Sequence, residues 1–452
     1  MAMPDKKAVF VLGLGKSGLA VTRLLKRKRC DVVLYDDDER RRADFRQGRE
    51  FDGLGPGIEV AGDEDAGEKL AGCGTLVVSP GVPLDHRLVA AARRYGIEVT
   101  GELEVAYAHC SSGILGVTGT NGKSTVVSML GEILKSAGRR SIVAGNIGVP
   151  FSEVVDSGEA FDPVVLEISS FQLDTIRRFK VDVAVLLNVT EDHLDRYHDS
   201  LAEYAASKAR ILNRSTDETF FIYNHEDAVC QEIAGGFRGR KIAFSSGCTL
   251  DEGVYEHEGS IMRSWGGKAE EIMPIGDFSP AGIHNLENAM AAVAAAIPYD
   301  VRIADIHESL KGYRPLPHRM ELTRVVGGVA YIDDSKATNV DAAIKSVRSI
   351  EGSMVLIMGG LDKNTDFAPI ASHLGRVKQV VLIGDATKKI ESAISDHCRV
   401  SRAATMEDAV RKASDHATAG DTVLLAPACA SFDMFENYMD RGNAFREAVN
   451  QL

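Results

Sequence analysis

The residues best placed to do chemistry sit in GVTGTNGKST, Gly116 to Thr125, which runs from the apolar pair Ile114-Leu115 into the helical pattern VVSMLGEILKSAG. A strand, a glycine-rich turn and a helix start bring backbone N–H groups and a positive helix end around one point, which suits an anion. With Lys123 to reach terminal phosphates and Ser124 to offer a hydroxyl to Mg²⁺, the anion is expected to be a nucleotide phosphate. The strict spacing G-x-x-x-x-G-K-[ST] asks for glycine at position 117, where this chain has Val117, so the loop is a variant. A plain strand-to-helix turn has little need of Gly-Lys-Ser-Thr together.

PVVLEISS places Glu167 inside an apolar run, where an unpaired ionised carboxylate is costly and a cation is wanted. An acid at the end of a buried parallel strand suits Mg²⁺; a salt-bridged core glutamate is the alternative. His193 follows another apolar strand in VDVAVLLNVTEDHLDRY, at the edge where open α/β sheets gather ligands, although a single histidine is more often a satisfied structural group. DRYHDSLAEYAASKARIL then repeats Tyr197, Leu201, Tyr204, Lys208 and Ile211 at alternating spacings of four and three, an amphipathic helix with lysine on its apolar stripe. Such a lysine ordinarily snorkels to water. As an ammonium it would repel Mg²⁺, whereas a desolvated amine that adds CO₂ becomes a carbamate, an anionic oxygen donor.

Near the start, GLGKSG (Gly13 to Gly18) follows a strand, opens a helix and precedes a second strand ending at Asp36, which matches a dinucleotide fingerprint. The motif licenses only a diphosphate at a helix start, and nothing later in the chain looks like hydride chemistry. A nucleoside diphosphate other than NAD is therefore expected there, with SPGVP (Ser79 to Pro83) at the same sheet edge. Late in the chain, GIHNLENAMAA offers His284, Asn285 and Asn288 at a helix start, where capping is the plain alternative. PHRMELT offers His318 and Arg319, a guanidinium suited to a γ-phosphate. YIDDSKATN (Asp334, Lys336, Thr338, Asn339), GGLDKNTDF (Lys363) and APACASFDMFENY (Ser431, Tyr438) each follow a strand. Three loops at one carboxyl edge suggest a pocket for a small carboxylate-bearing substrate, while solvated surface charge would explain any one of them.

Positioning these groups requires parallel sheets. Apolar runs such as AVFVLG, DVVLYD, TLVVSPG, PVVLEIS, VDVAVLLN, SMVLIMGG, QVVLIGD and DTVLLAPA alternate with helical stretches, the signature of an α/β chain whose sheets are covered on both faces. GELEVAY near residue 101 and GYRPLPHRM near residue 315 read as connections, giving three α/β units over 1–101, 102–315 and 316–452. Residues 214–280, with KIAFS and Trp265, read as polar and irregular. The 452 residues carry 52 basic and 65 acidic side chains, a formal charge of -13, so no bulk positive field gathers nucleic acid. No apolar run reaches a membrane span, MAMPDKKAVFVLGLG lacks a signal-peptide design, and the seven scattered cysteines read as reduced thiols. A cytoplasmic monomer is expected.

Read in order, GVTGTNGKST, LEISSFQLD, NVTEDHLDRY, HNLENAMAA, PHRMELT, DDSKATN and PACASFD resemble the Mur ligase family, and the resemblance spans all three units. It implies a Rossmann-like first domain, a central P-loop ATPase-type domain and a Rossmann-like third domain. It implies an amide ligase in peptidoglycan precursor synthesis, in which ATP phosphorylates the carboxylate of UDP-N-acetylmuramoyl-L-alanine and the amine of D-glutamate attacks the acyl phosphate. Two Mg²⁺ ions would be held by Ser124 and Glu167 and by His193 and a carbamylated Lys208. ATP would meet Gly119, Thr120, Asn121, Gly122, Lys123, Ser124, Thr125, Asn288, Arg319 and Asp334. The uridine substrate would meet Gly15, Lys16, Ser17, Asp36, Asp37, Ser79, Asn146, Gln172 and His193. D-Glutamate would meet Lys336, Thr338, Lys363, Ser431, Phe432 and Tyr438. Lys123, Glu167, His193, Lys208 and Arg319 would carry the chemistry. The run Asp36-Asp37-Asp38 departs from the family pattern, where threonine and arginine often follow the aspartate. Sister ligases that add another amino acid would differ in the third-unit loops. A kinase or nucleotide-gated module would share the phosphate loop without an amino-acid pocket.

Overall fold

The computed structural model describes residues 8–46, 57–280, 282–363 and 365–452, so the reading of residues 1–7 lies outside it. Three sheets follow one another along the chain. In the first, Ile58–Val60, Val32–Tyr35, Val9–Leu12, Thr75–Val78 and Glu98–Gly101 lie side by side in that order, all parallel. The strand order turns back at Val9–Leu12, and the loop after that strand, Gly13 onward, therefore opens at the crevice where such sheets bind ligands.

The central sheet has nine strands, and Ile114–Thr118 sits between Val164–Glu167 and Val183–Leu186, all parallel. Every residue of these three strands is buried, because helices cover both faces. On one face the helix Lys123–Ser136 packs with Ile283–Ala296, whose Ala289, Ala291, Ala292, Ala294, Ala295 and Ala296 are fully buried; side chains this small let the helices come close. Leu130, Ile133 and Leu134 fill the space against them, each fully buried aliphatic side chain contributing about 1.5–3 kcal/mol.

Residues 214–280 are not irregular. Phe220–Asn224, Arg240–Ser245, Gly253–His257, Ser260–Trp265 and Lys268–Pro274 extend the central sheet, the last two antiparallel and Lys268–Pro274 at its edge. Antiparallel strands with one face in water need only one apolar face, so buried Ile261, Ile272 and Met273 are spaced among charged residues and the pattern looks polar. At the GELEVAY connection the helix Glu102–Tyr107 begins directly after the strand Glu98–Gly101 and buries Leu103, Val105 and Ala106. The third sheet is parallel except for its edge strand Glu321–Val326, with Val329–Asp333, Thr422–Leu425 and Met354–Gly359 placed together. The loops DDSKATN, GGLDKN and APACASFD therefore leave from adjacent strand ends. Among the described residues no helix is long and apolar enough to cross a membrane, and all seven cysteines are free.

Candidate active site

The loop after Ile114–Thr118 turns through two glycines, Gly119 at φ 151° and Gly122 at φ 89°. A Cβ on Gly122 would lie 2.3 Å from Asn288 Oδ1, so left-handed backbone and close approach both exclude a larger residue. Asn188 fixes the loop by accepting from Thr120 N (2.9 Å, backbone carbonyl) and Asn121 N (2.8 Å, side-chain Oδ1). The helix Lys123–Ser136 has no side-chain cap, which leaves its first amides to an occupant of the adjoining cavity of about 290 Å³. Lys123 is half-buried and donates to the carbonyls of Gly119 (2.9 Å) and Thr120 (2.8 Å); desolvation pushes its pKa down.

Strand register places Glu167 beside Val117, two residues ahead of Gly119. Glu167 is 2% exposed, its Oε1 accepts from Asn146 Nδ2 at 2.9 Å, and its buried Oε2 has no partner among the described residues. A carboxylate oxygen left bare in a polar cavity beside Ser124 fits a hard cation. His193, held at φ 55°, packs edge-on to Phe171 with ring centroids 5.0 Å apart, and burial lowers its pKa to about 4, which keeps the imidazole neutral as a metal ligand must be. Lys208 does not snorkel: it is 1% exposed, sits 4.1 Å from the Tyr204 ring centroid and donates to Gly119 O at 2.8 Å, the carbonyl that Lys123 also uses. Burial first, and then the neighbouring Lys123, push the Lys208 amine well below the ordinary lysine range. Its helix, Leu201–Ala209, is shorter than the sequence stripe, and Tyr197 and Ile211 lie beyond its ends. The donor set therefore fits Mg²⁺ with a carbamylated lysine better than with a second ammonium.

The third unit closes over this loop. Asn339 caps the helix Val340–Ser349 and donates to Asn121 Oδ1 (3.2 Å) and Asp192 Oδ2 (3.0 Å), while Asp341 accepts from Asn121 Nδ2 (2.8 Å). Arg319, Asp334, Lys336 and Thr338 line the same cavity as Gly122, Lys123, Ser124, Thr125, Glu167, His193, Lys208 and Asn288. His284 and Asn285 line it too. Lys336 rests 3.9 Å from the Tyr438 ring centroid, and burial followed by Arg319 lowers its pKa to about 7. Lys363 reaches Asp192 Oδ1 at 3.4 Å. Ser431 is buried and Phe432 is 68% exposed, and Lys363, Ser431, Phe432 and Tyr438 all lie outside the cavity wall.

Asp192, Asp341 and Arg441 were not among the sequence candidates. Arg441 is 1% exposed with no carboxylate partner among the described residues; it donates to Ser335 Oγ (2.9 Å), Ser335 O (2.8 Å), Cys429 O (3.1 Å) and Ala430 O (3.2 Å), tying two of the third-unit loops together. Its position within the helix Tyr438–Asn450 carries no sequence signal for that role.

A second cavity, of about 380 Å³, is lined by Gly15, Lys16, Ser17, Asp36, Ser79, Asn146 and Gln172, and Asn146 belongs to both cavities. Asp36 is turned inward, accepting from Leu14 N at 2.7 Å and Asp38 N at 2.9 Å. Asp37 points away to His86 at 3.2 Å, and the guanidinium at this cavity is that of Arg41.

Burial raises the Asp334 carboxyl to about 6, with Ser346 Oγ and Met320 N donating to it. A carboxyl raised in the folded state stabilises fully below its unfolded value of about 3.9, and that contribution is lost as pH rises through about 6. Asp334→Asn is expected to remove about 2–3 kcal/mol of the ligand-free protein's stability loss between about pH 4 and pH 6. Urea unfolding of both proteins across that range checks it; identical pH dependence would refute the assignment.

Family models match along nearly the whole chain: a Mur ligase MurD-like N-terminal domain over residues 7–101, a Mur ligase middle domain over 117–296 and a Mur ligase glutamate ligase domain over 318–429. The UDP-N-acetylmuramoylalanine–D-glutamate ligase of Thermoanaerobacter sp. (strain X514) is 38% identical over 459 aligned residues, covering 99% of this chain and 98% of the relative. The enzyme of the same name from Pelotomaculum thermopropionicum is 41% identical over 450, again covering 99% and 98%. Among solved structures, MurC from Thermotoga maritima aligns with a TM-score of 0.62 at 17% identity, covering 98% of this chain and 99% of that one. MurF from Thermotoga maritima in complex with ADP aligns at 0.61 and 17%, covering 99% and 96%. At such identities these two speak for the fold.

Proposed function

The chain belongs to the Mur ligase family, and from that premise we propose that it is an ATP-dependent ligase joining D-glutamate to UDP-N-acetylmuramoyl-L-alanine in cytoplasmic peptidoglycan precursor synthesis. The units 1–101, 102–315 and 316–452 take the uridine substrate, ATP and D-glutamate respectively, and the protein acts as a monomer. The γ-phosphoryl group of ATP passes to the alanyl carboxylate, giving an acyl phosphate and ADP. The amine of D-glutamate then attacks that carbonyl, a C–N bond replaces the C–O bond, and phosphate leaves. Lys123 and Arg319 counter the negative charge on the moving phosphoryl group. Asn146 and Gln172 orient the alanyl end, which must pass from one cavity to the other. Ser124 and Glu167 would hold one Mg²⁺, and His193 and carbamylated Lys208 a second, the ions supplying charge neutralisation among the crowded oxyanions. Lys336, Thr338, Lys363, Ser431 and Tyr438 surround D-glutamate, with Lys363 exchanging Asp192 for the side-chain carboxylate of the substrate.

The observation that carries this reading is the convergence on one cavity of the glycine-lysine loop, the bare oxygen of Glu167, Arg319 and the DDSKATN loop of the third unit, with Asn146 shared with the second cavity. The test is a panel of amino acids supplied with ATP and the uridine substrate, reading phosphate release. Turnover is expected with D-glutamate and to fall at least about 100-fold with L-alanine or a diamino acid; release indifferent to the amino acid would remove the proposal.

A further inference from the structure

Arg196 belongs to none of the groups assigned above, although it lies in NVTEDHLDRY and ends the short helical turn Leu194–Arg196 that starts from His193. Its guanidinium leaves the central unit. It donates to Gly81 O at 2.8 Å and Pro80 O at 3.3 Å, both in the loop after the first-unit strand Thr75–Val78. Its flat face lies 4.3 Å from the centroid of Phe171, the ring that also packs against His193. Among the described residues Arg196 forms no ion pair with a carboxylate. The loop it grips is held from below as well, since Ser79 Oγ donates to Gly13 O at 2.8 Å and Gly13, at φ 94°, comes so close that a Cβ there would lie 2.8 Å from Ser79 Cβ. Residues 79–82 line the nucleotide-side cavity.

We propose that Arg196 is a positioning residue that fastens the nucleotide-side loop of the first unit to the reaction centre of the second, so setting the span between the two cavities. A planar fork that donates to two carbonyls while stacking on a ring is a task for arginine and not for lysine. The fastening matters only for a substrate that must reach both cavities at once: its two ends bind together when the separation of the sites matches its length. A ligand confined to the first unit feels none of this. The inference rests on the proposed function for the identity of the spanning substrate, and on geometry alone for the fastening.

Two arms test it, using the full chain with Arg196→Ala and Arg196→Lys. In the ligand-free arm, amide hydrogen exchange at Gly81, Val82 and Leu84 is expected to be at least about tenfold faster in both variants than in the wild type. In the ligand arm, KM for the uridine substrate is expected to rise about tenfold or more, while the Kd of UDP alone and KM for ATP stay within about twofold. Should the alanine variant fail to fold, the lysine variant carries both arms. Unchanged exchange at Gly81, Val82 and Leu84 overturns the fastening whatever reaction the protein catalyses. Equal weakening of UDP and of the full substrate overturns it too, because Arg196 would then be shaping the UDP site itself. Wild-type protein without turnover on the uridine substrate would sink the functional reading, and the exchange arm would still decide the role of Arg196.

Discussion

Replacing Lys208 by alanine is expected to lower kcat by about 10³-fold or more while the protein remains folded, since in its proposed role as a metal ligand it would supply several kcal/mol of charge stabilisation. The lysine is fully enclosed, bonded to Gly119 O and stacked on Tyr204, and its ammonium form has both desolvation and Lys123 against it. A neutral amine in that position can add CO₂, forming an N–C bond and releasing a proton to solvent. Such a carbamate would reverse the local sign, making Lys123 an attractive neighbour and offering an oxygen donor suited to Mg²⁺. Alanine cannot be carbamylated, so excess bicarbonate should not restore the variant, whereas wild-type protein in CO₂-depleted buffer should lose activity and recover it on adding bicarbonate. Steady-state kinetics with circular dichroism measures both; near-normal kcat in the variant would take Lys208 out of the reaction.

Lys123→Met should produce a loss of kcat of about 10²–10³-fold, the scale of removing one preorganised donor from a developing anion. Its second signature separates this from simple damage. In the ligand-free protein Lys123 is half-buried, has its pKa lowered by desolvation, and among the described residues donates to two loop carbonyls. Methionine has a similar length and no charge to desolvate, so the thermal midpoint should be equal or higher than that of the wild type. A lower midpoint accompanied by proportionate loss of activity would mean that Lys123 holds the loop together, and would refute its role on the phosphoryl group.

Much of this site was legible in the chain. Gly119, Gly122 and Lys123 announce a phosphate loop because strand, glycine and helix start are consecutive, and local sequence governs local backbone. Glu167 stood out because a charge in an apolar run calls for a partner. The pattern was weaker where one face of a strand meets water, as in Ser260–Trp265 and Lys268–Pro274, whose polar positions hid their strand character. Lys208 shows the limit from the other side: its place on an apolar stripe was visible, but pattern alone favoured snorkelling over burial.

By itself, then, the sequence determined the α/β class, the strand ends that carry polar loops and the family whose motifs those loops contain, because each depends on neighbours within a few turns. Only the tertiary structure decided which of those groups meet. The bond of Lys208 to the Gly119 carbonyl, the closure of Asn339 and Asp341 on Asn121, and the reach of Arg196 to Gly81 join residues 89 to 220 positions apart. Such pairings arise from strand order and unit packing, and an arginine or aspartate carries no local mark of the distant carbonyl or amide that it will find.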